Sequence, residues 1–109
     1  MATIWRTRDY LGRVVALTEE NLRHIRERRP RMVDRLDEVK LTIEQSEFVR
    51  RDVAIASREV FYARSTVGRA RMRVIVPYRP VPPQGTWRGE VITAHPNQRP
   101  RLTEDPLWP

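Results

Sequence analysis

Helical and strand-like periodicities occupy separate stretches of this chain, and that segregation limits the folds open to it. Apolar residues at helical spacing fall between residues 18 and 44, whereas two-residue alternation dominates from residue 58 to residue 95. Helices followed by a run of strands argue for an α+β domain, not a doubly wound parallel sheet. Residues 4–17 read as a short extended stretch, a turn at Leu11-Gly12 and a strand over 13–17. A first helix is predicted to open at Thr18, a good N-cap. Glu19 and Glu20 lie in its first turn, with Leu17 and Leu22 at the staple positions. Pro30 ends that helix near Arg28 and Arg29, because the residue before a proline is pushed out of helical geometry.

A second helix is expected from about residue 31 to residue 44, where Met32, Leu36, Val39 and Ile43 form an apolar stripe. Residues 46–52 read as a connection to a short extended piece at 53–55. Three strands then follow in meander order, at residues 58–64, 71–78 and 87–95. Residues 65–69, with Gly68, read as a hairpin loop. Pro77, Pro80, Pro82 and Pro83 are expected to stop the second strand and build a stiff loop ending at Gly85. The expectation is two N-terminal helices packed on an antiparallel sheet of about four strands, in one domain over residues 1–96. Residues 97–109 form a Pro-rich extended tail, either disordered or docked through Trp108 on the domain or on a partner.

Composition removes several function classes. The chain of 109 residues has room for one small core, and no apolar run approaches the length that crosses a bilayer. No apolar leader segment is evident at the N-terminus, so the expected location is cytoplasmic, with no membrane partner. There is no cysteine, and His24 and His95 are the two histidines, which leaves no thiol chemistry and no conventional metal cage. A Gly-rich phosphate loop, a GxSxG elbow and an HExxH helix are all missing. Neither a metal nor another cofactor is expected.

The charge balance points to a phosphate-rich partner. The formal charge is +7, and 20 of the 21 basic residues are arginine, Lys40 being the exception. Arginine's planar fork binds phosphate bidentately. Coding bias would explain the choice of arginine over lysine, but not the surplus of positive charge. Residues 1–31 carry +4, residues 32–57 carry −2 and residues 58–109 carry +5, so a nucleic-acid surface is expected from the first and last thirds.

Cleavage of RNA without a metal needs a group to take the 2′-hydroxyl proton, another to protonate the leaving oxygen, and cations for the charged phosphorane. His24, His95, Tyr62, Arg64 and Thr93 supply such a list. Each also has a plainer reading. His24 lies off the apolar stripe as a surface histidine does, and His95 flanks a turn before Pro96. Tyr62 fits a core position with a wet hydroxyl, and Arg26, Arg28, Arg29 and Arg31 fit a solvated basic edge.

The opening Asp9-Tyr10-Leu11-Gly12-Arg13-Val14-Val15-Ala16-Leu17-Thr18, followed by Leu22-Arg23-His24-Ile25 and Glu27-Arg28-Arg29-Pro30, resembles a known family. It is similar to the D-x-x-G-R-x-V-x-L-T … H-I-x-x-R-H-P-E opening of the phage-type branch of the barnase–EndoU–colicin–RelE-like (BECR) nucleases. Val49–Asp52, Val60–Arg64 and Val91–Pro96 are similar to later segments of the same family, so the resemblance spans roughly residues 9–96. It implies helices packed on an antiparallel sheet and metal-independent ribonuclease activity, often as a toxin.

The family's site maps to His24, Tyr62, Arg64 and Thr93. His24 becomes general base or acid, Arg64 and Arg28 phosphate clamps, Tyr62 a positioning group and Thr93 an oxyanion or substrate contact. Arg29, Arg71, Arg73 and His95 join as nucleic-acid contacts. The chain departs from the pattern in having Arg29-Pro30-Arg31 in place of His-Pro-Glu, and His95 where an aromatic residue is usual. The expected partners are RNA and, for a toxin, an acidic antitoxin or other inhibitor. The alternatives are an inactive basic module that binds nucleic acid or protein, and an assembly component whose tail docks on a neighbouring chain.

Overall fold

The computed structural model describes residues 2–64 and 70–109. The chain runs β1 (Thr3–Arg8), β2 (Val14–Thr18), α1 (Glu19–Arg28), a 3-10 turn (Pro30–Arg35), α2 (Leu36–Glu44), β3 (Phe48–Asp52), β4 (Arg58–Arg64), β5 (Arg71–Val81), β6 (Thr86–Glu90), β7 (Thr93–Gln98) and β8 (Glu104–Trp108). The expected hairpin loop at residues 65–69 lies outside the described residues.

The expected architecture is corrected in strand number and in sheet type. All eight strands join one mixed sheet in the order β1-β2-β6-β5-β4-β3-β8, with β7 paired to β5 beside β6. The β2–β6 pair is parallel, so the sheet is not the four-stranded antiparallel one expected. Two strands escape sequence reading for physical reasons. β3 carries Arg50, Arg51 and Asp52, which hide its alternation, yet Val49 is buried and Phe48 pairs with Tyr62. β8 carries Pro106, and an edge strand accommodates proline because one row of its amides pairs with nothing.

Nor do Pro77 and Pro80 end β5. Successive amides of a strand point to opposite neighbours, and the Tyr78 amide reaches toward β4 by donating to the Ser57 carbonyl. The missing amide of Pro77 therefore faces the other side, between Ile75, the last residue paired with β7, and Tyr78, the first paired with β6. That of Pro80 faces the β4 side, where β4 has already ended. The strand expected over residues 87–95 is split in the same region. Val91 donates to Ala16 and Ile92 to Ile75, and this step divides β6 from β7.

The helices cover one face. Thr18 caps α1 by accepting from the Asn21 amide, and Ile25 buries that helix against Val15 and Leu17. The second helix is shorter than expected: residues 30–35 form a 3-10 turn, and α2 starts after Arg35, whose φ of −120° breaks helical geometry. The apolar stripe survives the break. Met32, Val39 and Ile43 are buried and Leu36 packs against the same core, beside Phe61, Met72, Val74 and Val76 of the sheet.

Two buried polar networks fasten the sheet. At the β1–β2 turn, where Gly12 adopts a φ of +77°, Asp9 accepts from the amides of Leu11 and Arg13, from Arg13 Nε at 2.7 Å and from the Tyr78 hydroxyl. Arg13 then reaches Glu59 of β4 through both terminal nitrogens, at 2.8 and 2.7 Å, and its guanidinium lies 3.9 Å from the centre of the Tyr78 ring. The Asp9-x-x-Gly12-Arg13 string of the opening is thus a structural clamp. In the second network, Arg73 of β5 pairs with Glu104 of β8, and Tyr62 of β4 donates to that carboxylate while accepting from Arg73 Nε at 3.0 Å. Residues 97–109, expected as an extended tail, thus contribute the end of β7 and all of β8. Of the outcomes expected for Trp108, docking on the chain's own domain is the one observed: its ring lies 5.2 Å from that of Tyr10.

Candidate active site

A cleft of about 510 Å³ opens between α1 and the start of β7. Its lining is drawn from three distant parts of the sequence. The helix contributes Asn21, His24 and Arg28, at i, i+3 and i+7 on one exposed face. The bend after α1 contributes Arg29, whose amide closes the helix on the Ile25 carbonyl. The sheet contributes Arg58 from β4, and Ile92, Thr93 and His95 from the β7 region.

Electrostatically the cleft is one-sided. Three arginines line it and no carboxylate does. The Nε atom of Arg29 is buried without a hydrogen-bond partner among the described residues. His95 records the same field. Burial, followed by the charges of Arg29, Arg73 and Arg101, pushes its imidazole down to about 4. A cation is unwelcome at this position, and an anion that cancels those guanidinium charges relieves the penalty.

The expected site residues divide into two sets. His24, Arg28, Arg29, Thr93 and His95 come together in the cleft. Tyr62, Arg64, Arg71 and Arg73 do not line it. Tyr62 is fully buried and engaged with Glu104 and Arg73, and burial together with its hydrogen bond to Glu104 pushes its hydroxyl up to about 12. Arg73 spends its guanidinium on Glu104 and Tyr62, and acts on the cleft as a charge behind His95. At the far end of β4, Arg64 lies beside Glu38, Leu41 and Glu47. Arg71, opposite Arg64 in the sheet, lies above the Phe48 ring and 3.5 Å from Glu47.

Three lining residues were missed by sequence reading: Asn21, Arg58 and the apolar Ile92. Asn21 was legible, since it precedes His24 and Arg28 at helical spacing. Arg58 was not, because only the sheet register sets the first residue of β4 near Thr93 and His95. Val60, two residues on, and Thr93 both pair with Ile75.

Chemically the lining offers two imidazoles, three guanidiniums, an amide and a hydroxyl. Such groups are of the kinds that can bind a phosphodiester and move protons at it. Among the described residues, no group of three or more histidine, aspartate or glutamate side chains has the spacing to hold a metal ion. No helix among them is long and apolar enough to cross a membrane. Comparison of the chain with protein-family models, curated proteins and solved structures finds no match.

Proposed function

We propose that the protein is a metal-independent ribonuclease that cleaves RNA by attack of the 2′-hydroxyl on the adjacent phosphate. The observation that carries this reading is the convergence of both histidines of the chain on one cleft lined by Arg28, Arg29 and Arg58. The similarity of the opening residues to the phage-type BECR nucleases supports it at the level of motif. With that similarity goes the wider proposal of a toxin, or an accessory protein of a phage or mobile element, acting in the cytoplasm.

In this mechanism the arginines hold the scissile phosphate and stabilise the phosphorane. His95, kept neutral by burial and by its arginine neighbours, accepts the 2′-hydroxyl proton. The 2′-oxygen bonds to phosphorus, and the P–O5′ bond breaks. His24, the other imidazole, delivers a proton to the departing 5′-oxygen. Thr93 contacts a non-bridging oxygen, and Tyr62 is a positioning residue that holds Arg73 behind His95.

A second reading is favoured by one observation: an imidazole held near 4 is a weak base at neutral pH. On that reading the cleft binds RNA or an acidic inhibitor without cutting. Product chemistry separates the two. Purified protein should cleave single-stranded RNA in excess EDTA and leave 2′,3′-cyclic phosphate ends. Absence of cleavage on any RNA, with retained salt-sensitive binding, would assign the cleft to binding alone.

A further inference from the structure

A second groove, larger than the cleft at about 790 Å³, lies at the end of the sheet beside the β1–β2 turn and the β5–β6 turn. The register orients the rows of residues there. Thr7, Val15, Gly89 and Tyr78 stand in one row across β1, β2, β6 and β5, and this row faces the helices: Val15 and Tyr78 belong to the core, and Thr7 donates to Glu44 of α2. The adjacent row is Arg8, Val14, Arg88 and Arg79. Alternation turns that row to the side away from the helices.

The groove has three physical properties. It is positively charged throughout: Arg6, Arg8, Arg13 and Arg88 line it, and no acidic side chain does. Arg13 is committed to Asp9 and Glu59, whereas Arg6 and Arg8 are exposed, Arg8 donating one N–H to the Gly12 carbonyl at 2.7 Å, and Arg88 Nε is buried with no hydrogen-bond partner among the described residues. It contains a wide aromatic surface, because Trp87 is 46 % exposed. Its rows are also spaced by the sheet. Arg8 and Arg88 stand two strands apart, roughly 10 Å, with the apolar Val14 between them.

We propose that this groove is a binding site for single-stranded nucleic acid, in which Arg6, Arg8 and Arg88 neutralise successive phosphates and Trp87 stacks on a base. The inference deepens the ribonuclease reading by assigning single-stranded RNA as its substrate class, and it rests on that reading for the identity of the nucleic acid. Arginine alone is equally suited to an acidic polypeptide. The exposed indole among the groove's lining residues favours nucleic acid, because every base offers a face on which it can stack. The groove and the cleft share no lining residue, so one is altered without touching the other.

The test uses a fluorescein-labelled 12-nucleotide 2′-O-methyl oligouridylate, which has no free 2′-hydroxyl and cannot be cut by transesterification. Trp87→Ala and Arg88→Glu should each weaken its binding by about tenfold or more, within the range for losing a base stack. Arg6→Glu, at an exposed position, should also weaken binding and retain the wild-type melting temperature. Cleavage of a dinucleotide, which presents a single phosphate, should proceed at the wild-type rate in all three variants. If the protein cuts no RNA, the ribonuclease reading fails while the binding measurement still decides the groove. Unchanged affinity in Trp87→Ala and Arg88→Glu would overturn the inference. So would loss in Arg88→Glu alone with efficient displacement by polyglutamate, which would assign the groove to an acidic polypeptide.

Discussion

At the scale of single residues, His95 carries the clearest electrostatic signature. Its imidazole is pushed down to about 4 by burial first, then by Arg29, Arg73 and Arg101. A free histidine titrates near 6.5. Between those values the unfolded chain takes up a proton that the folded chain refuses, so folding stability falls as the pH drops from about 6.5 to about 4. Replacing His95 by asparagine removes this dependence. Thermal melts across pH 4–7 should show a shallower acid loss for His95→Asn than for the wild type, and parallel curves would contradict the assignment. Tyr10 and Tyr62 are perturbed in the opposite direction, both up to about 12, with burial the largest cause. Neither hydroxyl ionises in the working range, which suits a structural role for both.

At the scale of elements, the chain's end is an integral strand. β8 delivers Glu104 into the interior, where it pairs with Arg73 and takes a hydrogen bond from Tyr62, and Leu107 packs against the core. Removing one partner of a buried ion pair costs about 3–5 kcal/mol. For a domain of this size, each kilocalorie lowers the melting temperature by roughly 4 °C. Deleting residues 103–109 should therefore lower it by more than about 10 °C, as read by calorimetry, and an unchanged melting temperature would show β8 to be dispensable.

The elements also show what was legible in the sequence. Thr18, with Glu19 and Glu20 behind it, marked the start of α1, and β4 followed from its alternation over Arg58–Arg64. β3 and β8 were hidden, because sheet pairing and not their own pattern makes them strands. The prolines of β5 misled for the same reason: whether a missing amide matters depends on which neighbour it faces, and only the sheet order decides that. For the site, the groups that metal-free RNA cleavage needs, and then the resemblance, both pointed to His24 and Thr93, which do meet in the cleft. Arg58 needed the register. Tyr62 and Arg64 sit at i and i+2 of β4, one deep in a polar network and the other at the strand's exposed end.

At the scale of the molecule, two basic surfaces with no lining residue in common differ in chemistry. The cleft beside α1 combines imidazoles with arginines, and the groove beside the β1–β2 turn combines an indole with arginines. The acidic middle third contributes to neither. Its carboxylates lie largely on the 3-10 turn, α2 and β3, and none of them enters either surface. A substrate strand held by the groove and cut in the cleft would use both surfaces of the chain at once. The central claim is that chemistry resides in the cleft, and the rate of RNA cleavage by His24→Ala set beside that of Arg64→Ala tests it most directly. His24 is exposed, so its removal spares the fold. The predicted result is a fall of about 10²–10⁴ for His24→Ala, the range for losing a positioned acid or base, with Arg64→Ala close to wild type. Wild-type cleavage by His24→Ala, or an equal loss in Arg64→Ala, would contradict the account.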